Sequence, residues 1–186
     1  TVVRKTGVAL TSVATGKQSI KRYYDITPAI NSGLNATLAF KYADSELNGQ
    51  VPATLVLWRS LDGGATWRKQ GGSVDVAQRT ITKTAIQSFS RWSASDASNP
   101  LGPSFIEGVP QNLVMTTGNG QTANVNTVLS PFEVTVTDGY GSPIKGIPVD
   151  FAIANVPSGA TGQVISIVGT VTDNSGQAST TLRLGD

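Results

Sequence analysis

The run PFEVTVTDGYGSPIKGIPVDF, residues 131–151, and the run GTVTDNSGQASTTLRL, residues 169–184, decide the fold of this chain. In each, β-branched and polar residues alternate up to an Asp. A Gly-bearing turn follows, and then a second alternating stretch. A period of two places every other side chain on one face of a pleated sheet, and Asp with Gly supplies the turn chemistry. The pattern predicts antiparallel hairpins. No helical period and no pocket-forming motif interrupts it.

Working outward, the 186 residues suffice for two domains of ordinary size, each with its own core. Charged residues make up 14%, below the roughly 25% of an average soluble domain, and short polar residues and Gly take their place as expected of strands joined by turns. The chain has neither Cys nor His. Disulfides, thiolate chemistry and imidazole catalysis are therefore excluded, which leaves carboxylates, Lys, Tyr and hydroxyls. No run approaches the roughly 20 apolar residues of a helical membrane span. The sequence opens at Thr1 in strand-like residues without a signal peptide, as expected of a mature or excised chain.

The composition breaks at ASNPLGPSFIE, residues 97–107, where Pro100, Gly102 and Pro103 cannot continue a ladder. The expected organisation is a first domain over 1–98, a stiff Pro/Gly linker over 99–105 and a second domain over 106–186. Strands are expected near 2–5, 8–13, 19–26, 36–42, 54–60, 67–70, 80–86 and 88–93, and then near 112–116, 132–137, 148–153, 163–168, 169–172 and 178–184. Residues 1–99 carry twelve Lys and Arg against six Asp and Glu, a net +6, whereas residues 100–186 carry two against six, a net −4. Such complementary halves suit head-to-tail contact between copies or a partner that grips both.

The second half resembles the bacterial Ig-like repeat of invasin and intimin type surface proteins, in which a strand ending V-T-D meets a G-x-P turn and a G-V/I-x-V-x-F strand. That resemblance implies an antiparallel β-sandwich with Greek-key connections. In such repeats the strand matching Ser179, Thr180, Thr181, Leu182, Arg183 and Leu184 is followed by a closing strand, whereas here the sequence reaches Asp186. The expectation is an open edge along those six residues, either because the sequence is a fragment of a longer chain that supplies the closing strand or because a neighbour fills it by donor-strand complementation, with residues 1–10 as a candidate donor.

The segment SLDGGATW, residues 60–67, fits the Asp-box pattern S-x-D-x-G-x-T-W. Asp62 is expected to accept turn amides, Gly63 and Gly64 to supply positive φ, and Trp67 to pack beneath the hairpin. Because the box occurs once, it marks a structural turn and not a propeller. The first half more widely resembles a β-sandwich module of exported Bacteroidota surface proteins, carried by SIKRYYDITPAINSGLNATLAFKYADSELNG, LVLWRSLDGGATW and ITKTAIQSFSRWSASD. That resemblance implies export, by the type IX route in many such proteins, and no reaction.

Further groupings read structurally. Asp44 with Glu46 is an acidic loop, and Asp138 and Asp173 are turn caps; the EF-hand spacing of a calcium loop is absent. Tyr23, Tyr24, Trp58, Trp67 and Trp92 form a sugar-binding platform only if exposed; core packing is the simpler assignment. Lys17, Lys21, Arg22, Lys41, Arg68, Lys69, Arg79 and Lys83 are spread over several strands as a solvated face, without a nucleic-acid-binding motif. The sequence thus reads as all-β, two tandem Ig-like antiparallel sandwiches, the second lacking its closing strand. The expected role is a non-catalytic structural or adhesive module of an extracellular bacterial surface protein or filament. It needs no cofactor, metal or catalytic residue, and its expected partners are copies of itself, neighbouring Ig-like domains or extracellular polysaccharide. The alternative is a carbohydrate-binding module of a larger secreted protein.

Overall fold

The computed structural model describes residues 1–186 and divides into two compact units, Thr1–Glu107 and Gly108–Asp186. Every extended element pairs antiparallel, and the only helical pieces are single 3-10 turns at Asp44–Glu46 and Pro52–Thr54.

In the first unit, β1 (Val2–Thr6), β2 (Arg22–Ile26), β3 (Ala36–Lys41), β4 (Val56–Ser60), β5 (Arg68–Gly71), β6 (Ser73–Asp75), β7 (Thr80–Ile86) and β8 (Arg91–Ser95) form two sheets. One has the order β1-β2-β8-β4-β5 and the other β3-β7-β6. The alternation in ATLAFK points Phe40 inward, and Phe40 pairs with Ile81 across the β3–β7 ladder. Leu57 on β4 pairs with Ala94 on β8. With Ile20, Tyr42, Leu55, Ile86 and Trp92 these side chains fill the space between the sheets, which is the two-layer packing that alternation requires.

The opposite face of the five-stranded sheet is buried as well. Trp58 and Val56, one step out of phase with Leu57, pack with Trp67, Leu10 and Leu101 in a second cluster. Leu101 lies in the segment expected as a linker, so that expectation is corrected: residues 97–107 are a strap on the first unit. Ser12 Oγ donates to Leu101 O (2.6 Å) and Thr15 Oγ1 to Pro100 O (2.7 Å). Ile106 then runs parallel to Lys69 along the outer edge of β5, with Glu107 N–H donating to Lys69 O (2.9 Å). Gly102 passes so close to the Trp67 carbonyl that a Cβ there would collide with it. Two prolines and a glycine read as a linker because they cannot join a ladder; here the same stiffness shapes a cover.

Local departures have local causes. Residues 8–13 are irregular in place of a strand, with a single bridge from Thr11 to Gln18 around a turn at 13–15. The final strand begins at Arg91, after Ser88 and Ser90 have given their carbonyls to Arg59 and Ile26. The short β6 went unread because SVD is too brief to alternate.

The second unit contains β9 (Pro110–Thr117), β10 (Phe132–Asp138), β11 (Pro148–Asp150), β12 (Val164–Ile165), β13 (Gly169–Val171), β14 (Gln177–Thr180) and β15 (Leu182–Arg183), and it corrects the expected hairpins: the turns form, but each run sends its two strands to different partners, β10 to β14 and β11 to β13, with one bridge from Thr137 to Pro143 across the first turn. β10 lies between β9 and β14, β15 pairs with β12, and β11 pairs with β13. Val136, Val149 and Ala178 form the core, with Val134, Ile147 and Phe151 against it. This core is smaller than that of the first unit.

Leu101→Ala is expected to destabilise the first unit by about 2–5 kcal/mol, the range for truncating a fully buried Leu. Urea unfolding followed by tryptophan emission checks this directly, because the cavity opens onto Trp58 and Trp67.

Candidate functional site

Ser60, at the end of β4, opens a turn whose hydroxyl and carboxylate groups are hydrogen-bonded within it. Ser60 Oγ donates to Asp62 Oδ1 (2.7 Å) and accepts the Gly64 amide (2.7 Å). Asp62 Oδ1 accepts the Thr66 amide (2.9 Å) and Oδ2 the Thr66 hydroxyl (2.6 Å). These bonds to the charged form, the Thr66 hydroxyl foremost, hold the Asp62 carboxyl far below the usual carboxylate range. Gly64, at φ 107°, lies against Trp67 and Arg91. Trp67 is buried beneath the hairpin. The residues expected as a structural turn therefore sit together as one.

Arg91 links that turn to β2. Its guanidinium grips Asp25 in a fork, Nε to Oδ1 (2.7 Å) and Nη2 to Oδ2 (2.8 Å), donates Nη1 to Gly63 O, and stacks 4.8 Å from the Tyr23 ring centroid. Bidentate geometry and the stacked ring are specific to Arg. Nothing in the local sequence couples residue 91 to residue 25; the β2–β8 ladder, which sets them opposite each other, does.

Six further acids are likewise engaged. Glu46 accepts Arg22 Nη2 (2.8 Å) and the Ala43 amide (2.8 Å), and Asp44 takes a fork from Arg79 that holds its carboxyl below the usual range. Asp96 accepts the Val51 and Ser98 amides. Glu107 is the most heavily engaged: Arg59 Nη2 (2.8 Å), Arg68 Nη1 (3.1 Å) and Gln70 Nε2 (2.5 Å) all donate to it. In the second unit, Asp138 Oδ1 accepts the Tyr140 and Ser142 amides, and Asp173 Oδ1 accepts those of Ser175 and Gln177. Both Asp residues thus cap amides two and four positions ahead, the shared geometry behind the V-T-D echo. No three acidic side chains converge as a metal site.

Trp58, Trp67 and Trp92 are all buried, so they offer no platform to a sugar. Tyr24 packs edge-on to Phe40, and the ring of Tyr23 is taken by Arg91. Of the eight cations expected on a solvated face, Arg22, Arg68 and Arg79 are instead ion-paired to Glu46, Glu107 and Asp44. With the boundary at Glu107, the first unit holds twelve cations against seven acids (+5) and the second two against five (−3).

The expected assembly edge is occupied within the chain. Ser179 and Thr180 pair with Glu133 and Phe132 on one side. On the other, Thr180 Oγ1 bonds both the N–H and the carbonyl of Ile167, and Ser166 N–H donates to Thr181 O. Leu182 and Arg183 pair with Ile165 and Val164 while Leu182 O and Thr127 O accept the amides of Leu129 and Leu184. Thr180, Thr181, Leu182, Arg183 and Leu184 therefore already have partners within the chain, and Ser179 lies in β14, which ends its sheet. Residues 126–129 (NTVL) flank β15 through a single bridge from Val128 to Arg183 and backbone bonds to Leu182 and Leu184, too short a stretch to declare a ladder. Nor are residues 1–10 free to be donated, since β1 is zipped to β2 from Val2–Ile26 to Thr6–Arg22.

Comparison with family models, with curated proteins and with solved structures gives no match for this chain.

Asp62→Asn is expected to cost about 1 kcal/mol, as for loss of a capping side chain. The native carboxyl titrates below its unfolded value near 4, so its stabilisation is full above about pH 4 and is lost as pH falls below it. Thermal melts between about pH 5 and pH 2 should therefore show a shallower pH dependence for Asp62→Asn than for the native chain.

Proposed function

We propose that this chain is a non-catalytic structural module of an extracellular bacterial surface protein, built from two tandem Ig-like sandwiches and working through stiffness and display. The observation that carries this reading is the use of the acids. Asp25, Glu46, Asp62, Asp96, Glu107 and Asp138 are each held by Arg or by backbone amides that fix a turn, strand or strap. A general acid or base must instead meet a substrate proton in a cleft. The hydroxyl-rich, Cys-free and His-free composition, and the resemblance of both halves to modules of exported proteins, support the same reading.

Partners on this reading are neighbouring domains of the same surface protein or further copies of the chain. The opposite charge of the two units, +5 and −3, favours orientation-selective encounter between copies. Carbohydrate binding loses its main support with the burial of the three Trp.

Affinity electrophoresis against a panel of soluble polysaccharides, with chromogenic glycoside and ester substrates incubated in parallel, tests the assignment. The expected outcome is no retardation and no turnover. Retardation corresponding to a Kd tighter than about 100 μM, or about −5.5 kcal/mol, would transfer the function to carbohydrate recognition.

A further inference from the structure

β9 is an edge strand of the three-stranded sheet in the second unit, and we propose that it is the self-association edge of this protein, pairing antiparallel with β9 of a second copy about a twofold axis through Val114. β9 bonds to β10 alone, and all eight of its residues are exposed. Leu113 is 62% exposed, Val114 56% and Met115 51%, three consecutive large apolar residues on an edge. Proteins commonly blunt such edges with Lys, a bulge or proline. Here PQNLVMTT contains no charge at all; Pro110 and two register shifts against β10 lie towards the ends, leaving 112–115 in regular pairing.

The register identifies the occupant. Leu113 and Met115 pair with Val136 and Val134, which belong to the core face, so both point to that face and Val114 to the other. A twofold axis normal to the sheet keeps each face with itself, which restricts the centre to one residue. Centred on Val114, the pairing sets Val114 against Val114, Leu113 against Met115 and Asn112 against Thr116. Apolar meets apolar and polar meets polar on both faces. Moving the centre to Leu113 sets Asn112 against Val114, and moving it to Met115 sets Leu113 against Thr117. Like-with-like cross-strand pairs stabilise a ladder, and the match is self-complementary, as an isologous contact requires.

The same pairing would extend the apolar floor of the groove of about 340 Å³ that Leu113 lines with Val136, Ile147 and Val149. A seven-residue ladder, 111–117, with three apolar side chains per copy buries several hundred Å² a side, at the low end for specific interfaces, so the dimer should be a weak one with a Kd on the order of 10–100 μM. The second unit carries a net −3, so two copies repel through their surroundings while the uncharged strands do not. Salt at about 0.3 M, which shortens the screening length below 10 Å, should tighten the dimer.

Because the chain lacks Cys, a single introduced thiol reports the contact. In a twofold centred on residue 114 the two Cα atoms lie about 4.5–5.5 Å apart, within disulfide range. The full chain carrying Val114→Cys, oxidised at about 100 μM, should crosslink to dimer at least tenfold faster than the chain carrying Val13→Cys, an exposed site in the first unit. Sedimentation velocity should show a concentration-dependent dimer in the native chain, with Val114→Lys raising its Kd at least tenfold while leaving the melting curve in place. Equal crosslinking rates at 114 and 13, a chain that sediments as a monomer up to about 200 μM, or a dimer indifferent to Val114→Lys would each overturn the proposal. None of these results bears on the polysaccharide and substrate assays.

Discussion

The first unit depends on covering β4 twice. Leu57 faces the inter-sheet core and Trp58 faces outward, and a sheet at the surface of a protein normally leaves one of those faces to water. Here the outward face carries Trp58 and Val56, too much apolar area to leave exposed, and Leu101 with Trp67 closes over it. Burying a Leu side chain contributes about 1.5–3 kcal/mol, and an indole still more. The strap is held at both ends by directional bonds: Ser12 to Leu101 O where it crosses the face, and the Lys69–Ile106 bridge and the Glu107 ion pairs where it turns round β5. Glu107 is mostly buried and accepts from two Arg and one Gln, so it needs all of them; a buried carboxylate stripped of a partner is strongly destabilising.

The second unit solves a different problem with less material. Its core is three buried residues and their partly buried neighbours, so turns carry more of the definition. Asp138 and Asp173 each fix a tight turn through amides two and four positions ahead. Asp138 also accepts the Gly108 amide (3.0 Å), which ties the start of the unit to the end of β10. Thr180 substitutes its hydroxyl for a backbone group, bonding Ile167 on both its N–H and its carbonyl, so the strand entering β15 is held on both flanks without a regular ladder there.

What was legible in the sequence followed from strong local signals. Alternation placed β3, β7, β9 and β10, and the bonds of the SLDGGATW turn are those its residue types imply. The errors share a physical cause, namely that irregular backbone has no period. Residues 97–107 carry Pro and Gly because the strap must bend and pass close to Trp67, and the same residues signal a linker. Residues 126–129 pair through a few backbone bonds only, so nothing periodic marks the cover they give β15, whereas β9 bonds to β10 alone. The long-range pairs Arg91–Asp25 and Arg59–Glu107, 66 and 48 residues apart, depend on which strands become neighbours, and a single sequence does not state that.

The claim on which this account turns is that the strap is an integral part of the first unit. Amide hydrogen exchange on the intact chain tests it most directly. Glu107 N–H, bonded to Lys69 O, should exchange within about tenfold of Ser93 N–H at the sheet centre, because both then need the same cooperative opening. Exchange of Glu107 at the rate of an unstructured peptide, while Ser93 remains protected, would show residues 97–107 to be a detached linker and would contradict the account.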